Sequence, residues 1–262
     1  MANLNLVFRS GMSRLNDFHG AADACVPLGV VVGELSTNLL LMGIPRYLDK
    51  GGSVFVDSGA FSAFISGESM DWTSILQRYE MLADCTMAPE NLYLVAPDRV
   101  GDQQATLQLL REWKTQLTSL LQKGIKLIVP IQCGAMPAQD MLEKVSAILG
   151  TADFVAGIPS NRAAMSNEEC ATLRHHTFHI LGQVSNLTKD SSRVDALLNL
   201  NPDATVNADA NWLRSRLFKV SEMASSERCI RVGVNASTQS LSVQRHHRAA
   251  AITKLLASDN WC

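Results

Sequence analysis

Val54-Phe55-Val56-Asp57-Ser58-Gly59-Ala60-Phe61-Ser62-Ala63-Phe64 is the stretch from which the fold is read. Val54, Phe55 and Val56 form a short β-branched and aromatic run, the pattern of a buried strand, and Ser58-Gly59 ends it. Asp57 therefore stands where a strand gives way to a turn, the edge at which α/β folds carry chemistry. An ionised carboxylate directly after three apolar residues is costly unless it is paired or used. Its simplest role is to cap the turn that follows.

Outward from that stretch a rhythm appears. Apolar runs recur at 26–32, 53–57, 91–96, 126–131, 152–157, 177–182, 204–206 and 229–234, with 4–8 as a lead-in strand and 11–23 as a polar surface segment. Amphipathic helical patterns lie between most of them. Ile75, Leu76, Tyr79 and Leu82 share one face after Asp71. Leu107, Leu110, Trp113, Leu117 and Leu121 share another after Asp102, and Met141, Leu142, Val145 and Leu149 precede a helix-stopping Gly150. Alternating strand and helix predicts a parallel sheet. Eight runs over about 210 residues predict a (β/α)8 TIM-type barrel, one domain spanning 1–262, with an open doubly wound sheet as the alternative.

Composition narrows the classes. Apolar residues make up 47% and charged residues 18%, enough for a sizeable core and too apolar for disorder. The net charge of −2 excludes a wholesale basic nucleic-acid binder, although the balance shifts from −4 over 1–189 to +2 over 190–262. Cys25, Cys85, Cys133, Cys170, Cys229 and Cys262 are scattered without a Cys-x-x-Cys, which argues against a zinc site and a disulfide framework. Met1-Ala2-Asn3-Leu4-Asn5 does not read as a secretory leader, and no apolar run approaches the roughly 20 residues of a membrane span. A cytoplasmic protein is expected.

In a barrel the C-terminal strand ends face the active site. Those ends read Asp57-Ser58-Gly59, Ala96-Pro97-Asp98-Arg99, Ile131-Gln132-Cys133-Gly134, Ala156-Gly157-Ile158-Pro159, Gly182-Gln183-Val184-Ser185-Asn186 and Asn207-Ala208-Asp209-Ala210-Asn211. They bring no Lys for a Schiff base, no His pair for a metal and no glycine-rich phosphate fingerprint. Carboxylates, amides and backbone N–H groups together suit a guanine-like base, whose N1–H and 2-amino group donate and whose O6 accepts.

On these residues the chain resembles the tRNA-guanine transglycosylase superfamily. Asp57-Ser58-Gly59-Ala60-Phe61 is similar to the family's Asp-Ser-Gly-Gly-Phe, and Asp98 falls at its base-binding Asp. Ile131-Gln132-Cys133-Gly134 resembles Val-Gln-Gly-Gly, Phe154-Val155-Ala156-Gly157-Ile158 resembles the Gly-Gly-Leu stretch, and Val206-Asn207-Ala208-Asp209 falls at the nucleophilic Asp. The likeness covers about residues 50–220, in the family's order. The family's zinc subdomain is missing and the chain is short, which is most like the compact DpdA-type branch of phage and bacterial systems that places 7-deazaguanines in DNA.

The resemblance implies a glycosyltransferase that exchanges guanine in DNA for a 7-deazaguanine base. Asp209 would be the nucleophile and Asp57 the general acid or base, with a covalent Asp–nucleotide intermediate and no cofactor or metal. Ser58, Phe61, Asp98, Gln132 and Gly157 are the expected base-binding set. Arg214, Arg216, Lys219, Arg245 and Arg248 are the expected phosphate contacts on duplex DNA with a flipped guanine. The setting would be a bacterial or phage-infected cell, with partner modification proteins. The same exchange on tRNA, a non-catalytic nucleic-acid- or base-binding subunit, or an unrelated barrel lyase or isomerase with a phosphate site after strands 7 and 8, are the alternatives. Residue by residue, bland roles stay open. Asp209 suits an N-cap for Trp212, Leu213, Leu217 and Val220; Asp98 suits a turn; Asp102 suits an N-cap near Gln103. Phe61 suits the core, Gly157 a purely steric role, Cys133 a structural thiol and the basic residues a solvated surface.

Overall fold

A computed structural model of the chain describes residues 4–161, 164–182, 187–210 and 241–258. Eight parallel strands close into a barrel in sequence order. They are β1 (Leu6–Arg9), β2 (Leu28–Val31), β3 (Val54–Asp57), β4 (Leu92–Val95), β5 (Lys126–Pro130), β6 (Val155–Pro159), β7 (Thr177–Leu181) and β8 (Thr205–Ala210). Helices α1 (Leu15–Asp23), α2 (Ile44–Leu48), α3 (Ala60–Ser66), α4 (Trp72–Asp84), α5 (Gln103–Glu112), α6 (Lys114–Gln122), α7 (Ala138–Leu149), α8 (Asn167–Cys170), α9 (Leu187–Leu200) and α10 (Leu241–Ser258) accompany them. No helix among the described residues is long and apolar enough to cross a membrane.

The alternation of side chains along each strand divides the core in two. Phe8, Phe55, Val95, Ile128 and Val155 form one cluster in the barrel interior. Val54, Val56, Leu92, Leu94, Phe178, Ile180, Val206 and Ala208 instead join the layer beneath the helices. The helical faces read from sequence are the buried ones: Ile75, Leu76, Tyr79 and Leu82 on α4, and Met141, Leu142, Val145 and Leu149 on α7. Asp71 accepts from the Ser74 N–H at 3.1 Å and Asp102 from the Ala105 N–H at 2.9 Å, so both are N-caps. Gly150 ends α7 at a φ of 74°, a left-handed conformation glycine adopts without strain.

Three described features differ from the sequence expectation. The lead-in strand is β1 itself, and the barrel closes where Leu6, Val7, Phe8 and Arg9 pair with Asn207, Ala208, Asp209 and Ala210. The run at 229–234 lies outside the described residues. Segment 11–23 is not a polar surface: Met12, Phe18 and Ala21 are buried. α1 packs on α10, and a Cβ on Gly20 would stand 2.5 Å from that of Arg248, so glycine is what permits the approach. The helix expected from Asp102 onward breaks at Trp113, which leaves helical geometry between α5 and α6.

Candidate functional site

β3 delivers Asp57 to the mouth of the barrel. The chain turns at once through Gly59, at a φ of 85°, into α3. The Gly59 N–H donates to Asp57 Oδ1 at 2.8 Å, and the Ala60 N–H to Ser58 Oγ at 3.3 Å. Asp57 thus does cap the turn, but that hydrogen bond does not set its titration. Protein atoms crowd the carboxyl although a part of the residue meets solvent, and this desolvation pushes its pKa up to about 6. The Gly59 N–H opposes the shift, and the charge of Asp209 adds to it. Ser58 is buried and committed to the turn into α3. Phe61 is not core: on the first turn of α3 it is 63% exposed.

Asp98 follows β4 and Gln132 follows β5, and the two side chains meet. Gln132 Nε2 donates to Asp98 Oδ2 at 2.8 Å, while Gln132 Oε1 accepts from the Gly101 N–H at 2.9 Å. The amide is held at both ends, and its second N–H remains to offer a ligand. Burial pushes the pKa of Asp98 up to about 7; the charge of Asp57 adds to this and the Gln132 hydrogen bond works against it. Asp57 is therefore the electrostatic middle of three carboxylates, coupled to Asp209 on one side and Asp98 on the other.

Asp209 is a strand residue, so the N-cap role does not apply: it lies within β8, which runs on to Ala210. Only 7% exposed, it is held by groups from two other strand ends. Ser10, just after β1, donates from Oγ to Oδ2 at 3.1 Å, and the Gly182 N–H, just after β7, donates to Oδ1 at 2.9 Å. His179 on β7 brings its Nε2 to 3.5 Å from Oδ1. Glycines make room for both donors. Gly182 has a φ of 99°, and a Cβ there would lie 2.7 Å from Ser160 Oγ. A Cβ on Gly29 would stand 2.6 Å from Ser10 Oγ.

The remaining expected residues fall elsewhere. Gly157 is inside β6 rather than at its end, and a Cβ there would come within 2.7 Å of Leu181 Cδ1, so its steric role is plain. Arg245 of α10 makes a two-pronged ion pair with Asp23, at 2.6 and 2.5 Å, and Arg248 lies 3.3 Å from Asp17. Both guanidinium groups thus tie α10 to α1. Arg214, Arg216 and Lys219 lie outside the described residues. Burial pushes the Cys133 thiol up to about 11, which does not suit a nucleophile. Among the described residues, no three His, Cys, Asp or Glu side chains are grouped to hold a metal. A hollow of about 390 Å³ opens at the opposite end of the barrel, lined by Asn5, Tyr93, Lys126, Asp153, Thr177 and Thr205 among others, and includes none of the expected residues.

Sequence reasoning missed Ser10 and His179. Ser10 was hidden because β1 was read as a lead-in, so its end was not read as a strand end. His179 carried a faint signal, a lone imidazole in the apolar run Phe178-His179-Ile180-Leu181.

No family model and no characterised protein matches the sequence. Solved structures do match the fold. A putative fructose-1,6-biphosphate aldolase from Coccidioides immitis aligns over 97% of this chain and 90% of its own, with a TM-score of 0.55 and 11% identity. A D-allulose 3-epimerase from a Methylomonas species aligns over 98% and 96%, with a TM-score of 0.49 and 11% identity. A xylose isomerase domain protein from Alicyclobacillus acidocaldarius aligns over 97% and 98%, with a TM-score of 0.45 and 11% identity. At 11% identity the aldolase match, with a TM-score of 0.55, is a likeness of fold alone, and fold does not fix chemistry.

Proposed function

We propose that this chain is an enzyme of the guanine transglycosylase kind, exchanging guanine in DNA for a 7-deazaguanine base. The observation that carries the proposal is the division of labour among three carboxylates at one barrel mouth. Asp209 is fixed by the Ser10 hydroxyl and the Gly182 N–H, while Asp57 and Asp98 are pushed up to about 6 and about 7. A carboxyl whose pKa is raised toward neutrality suits proton transfer, and a carboxylate held by two fixed donors suits a positioned nucleophile.

In this chemistry a carboxylate oxygen of Asp209 attacks C1′ of a flipped nucleotide. The C1′–O bond forms as the bond from C1′ to the guanine nitrogen breaks, and the departing base takes a proton from Asp57. The incoming 7-deazaguanine gives its N9 proton to the Asp57 carboxylate and attacks C1′, releasing Asp209. Two displacements retain configuration. Asp98, braced by Gln132, accepts from the N1–H and 2-amino edge of the base, and donation to it favours its ionised form.

The test is incorporation of labelled guanine into duplex DNA or bulk tRNA, with Asp209→Ala and Asp57→Ala alongside. Label in DNA that is lost in Asp209→Ala supports the proposal. Label in tRNA keeps the chemistry and moves the substrate. No label in either polymer overturns the enzyme and leaves a base-binding subunit.

A further inference from the structure

His179 is fully buried and stands apart from the residues that the proposed chemistry has used. Its ring stacks on Phe55, with centroids 4.9 Å apart and planes 11° from parallel, and Phe8 closes on it at 5.9 Å. Among the described residues neither ring nitrogen makes a hydrogen bond. Buried polar groups are rarely left so. Nε2 nevertheless points at the site, 3.5 Å from Asp209 Oδ1 and a few tenths of an ångström beyond a good hydrogen bond.

We propose that His179 is the positioning residue that aims Asp209, so that Oδ2 is the attacking oxygen. The inference rests on the nucleophilic role given to Asp209. As an Nε2–H donor, His179 closes onto Oδ1, which already accepts from the Gly182 N–H. Oδ1 then carries two donors and is withdrawn from attack. Among the described residues Oδ2 accepts only from the Ser10 hydroxyl, which leaves a lone pair for C1′. The Phe55 stack keeps the imidazole from turning away, and so fixes the plane of the carboxylate.

The experiment compares His179→Gln, His179→Asn and His179→Phe. A Gln amide reaches the position of Nε2, an Asn amide only that of Nδ1, and Phe keeps the stack without a donor. Base exchange should stay within about threefold of the parent in the Gln variant, while kcat falls about 10- to 100-fold in the Asn and Phe variants with KM for the base unchanged. A role in packing alone would spare Phe and penalise Gln; that pattern, or full kcat in His179→Phe, overturns the proposal. Nitrogen-15 NMR of labelled histidine gives a readout free of activity. The His179 Nε2 signal should move between the parent and Asp209→Asn, and an unmoved signal refutes the pairing. A signal that moves in a protein that exchanges no base leaves the pairing standing and removes the enzyme reading alone.

Discussion

Ser10 Oγ donates to Asp209 Oδ2 at 3.1 Å across the seam where β1 closes against β8, joining residues 199 positions apart. Gly29, on the neighbouring strand, is what lets Ser10 sit there, since a Cβ at Gly29 would stand 2.8 Å from Ser10 Cα. Gly29→Ala should cost about 1–3 kcal/mol by overpacking a seam with no slack. Ser10→Ala should cost about 1 kcal/mol or less and lower kcat for base exchange by about tenfold. Urea unfolding beside exchange kinetics separates the two; equal stability of parent and Gly29→Ala would show the seam to be loose.

Asp98 gives a signed pH dependence of stability. Its pKa in the folded chain, about 7, exceeds the unfolded value of about 3.9. The associated stabilisation is therefore complete below about pH 4 and is lost as pH rises through about 7. Asp98→Asn keeps the shape of the side chain and cannot ionise, so its denaturation midpoint should fall less than the parent's between pH 4 and 8. The difference should be on the order of a few kcal/mol. Parallel stability curves would show that Asp98 titrates normally.

In the proposed exchange Asp57 gives and takes a proton within one cycle, which is fastest when the pH lies near its own pKa. The exchange rate should therefore peak near the value of about 6 rather than in alkaline solution. Asp57→Asn should lower kcat by about 10²–10⁴-fold. It should also lower the pKa of Asp98, because the Asp57 charge helps to raise it. Carbon-13 NMR of the Asp98 carboxyl checks the second effect; an unmoved Asp98 titration would show the two groups to be uncoupled.

Gly182 combines a φ of 99° with the N–H that holds Asp209 Oδ1. Gly182→Ala strains the backbone and drives a methyl toward Ser160 Oγ, 2.7 Å away. A loss of about 1–3 kcal/mol is expected, with a larger fall in exchange rate than in substrate affinity. Thermal unfolding and steady-state kinetics test it, and a variant matching the parent in both would refute the role of this turn.

The barrel was legible because its strands and helix faces follow hydrophobic periodicity. Val54–Val56, the Ile75–Leu82 face and the Met141–Leu149 face all kept the roles their spacing gave them. What periodicity obscured is the polar half of an inward-facing strand. The apolar run at 204–206 stops where Asn207 begins, yet β8 continues to Ala210, with Asn207 and Asp209 alternating with Val206 and Ala208 and all four buried. The positions of Asp57, Asp98 and Asp209 on strand ends were readable. Their partners were not, because Ser10, Gly182 and Gln132 reach the carboxylates from adjacent strands and not through sequence neighbourhood.

The seam between β1 and β8 also sets an order of assembly. Chains emerge from the N-terminus, and contacts between distant segments form late. Asp57, Asp98 and Gln132 meet on neighbouring strands as soon as β3, β4 and β5 have paired. Asp209 joins them only when the eighth strand finds the first, because Ser10 is half of its cradle. A chain that lacks β8 thus lacks both Asp209 and the strand against which Ser10 is set. In the proposed chemistry, competence would arrive with barrel closure.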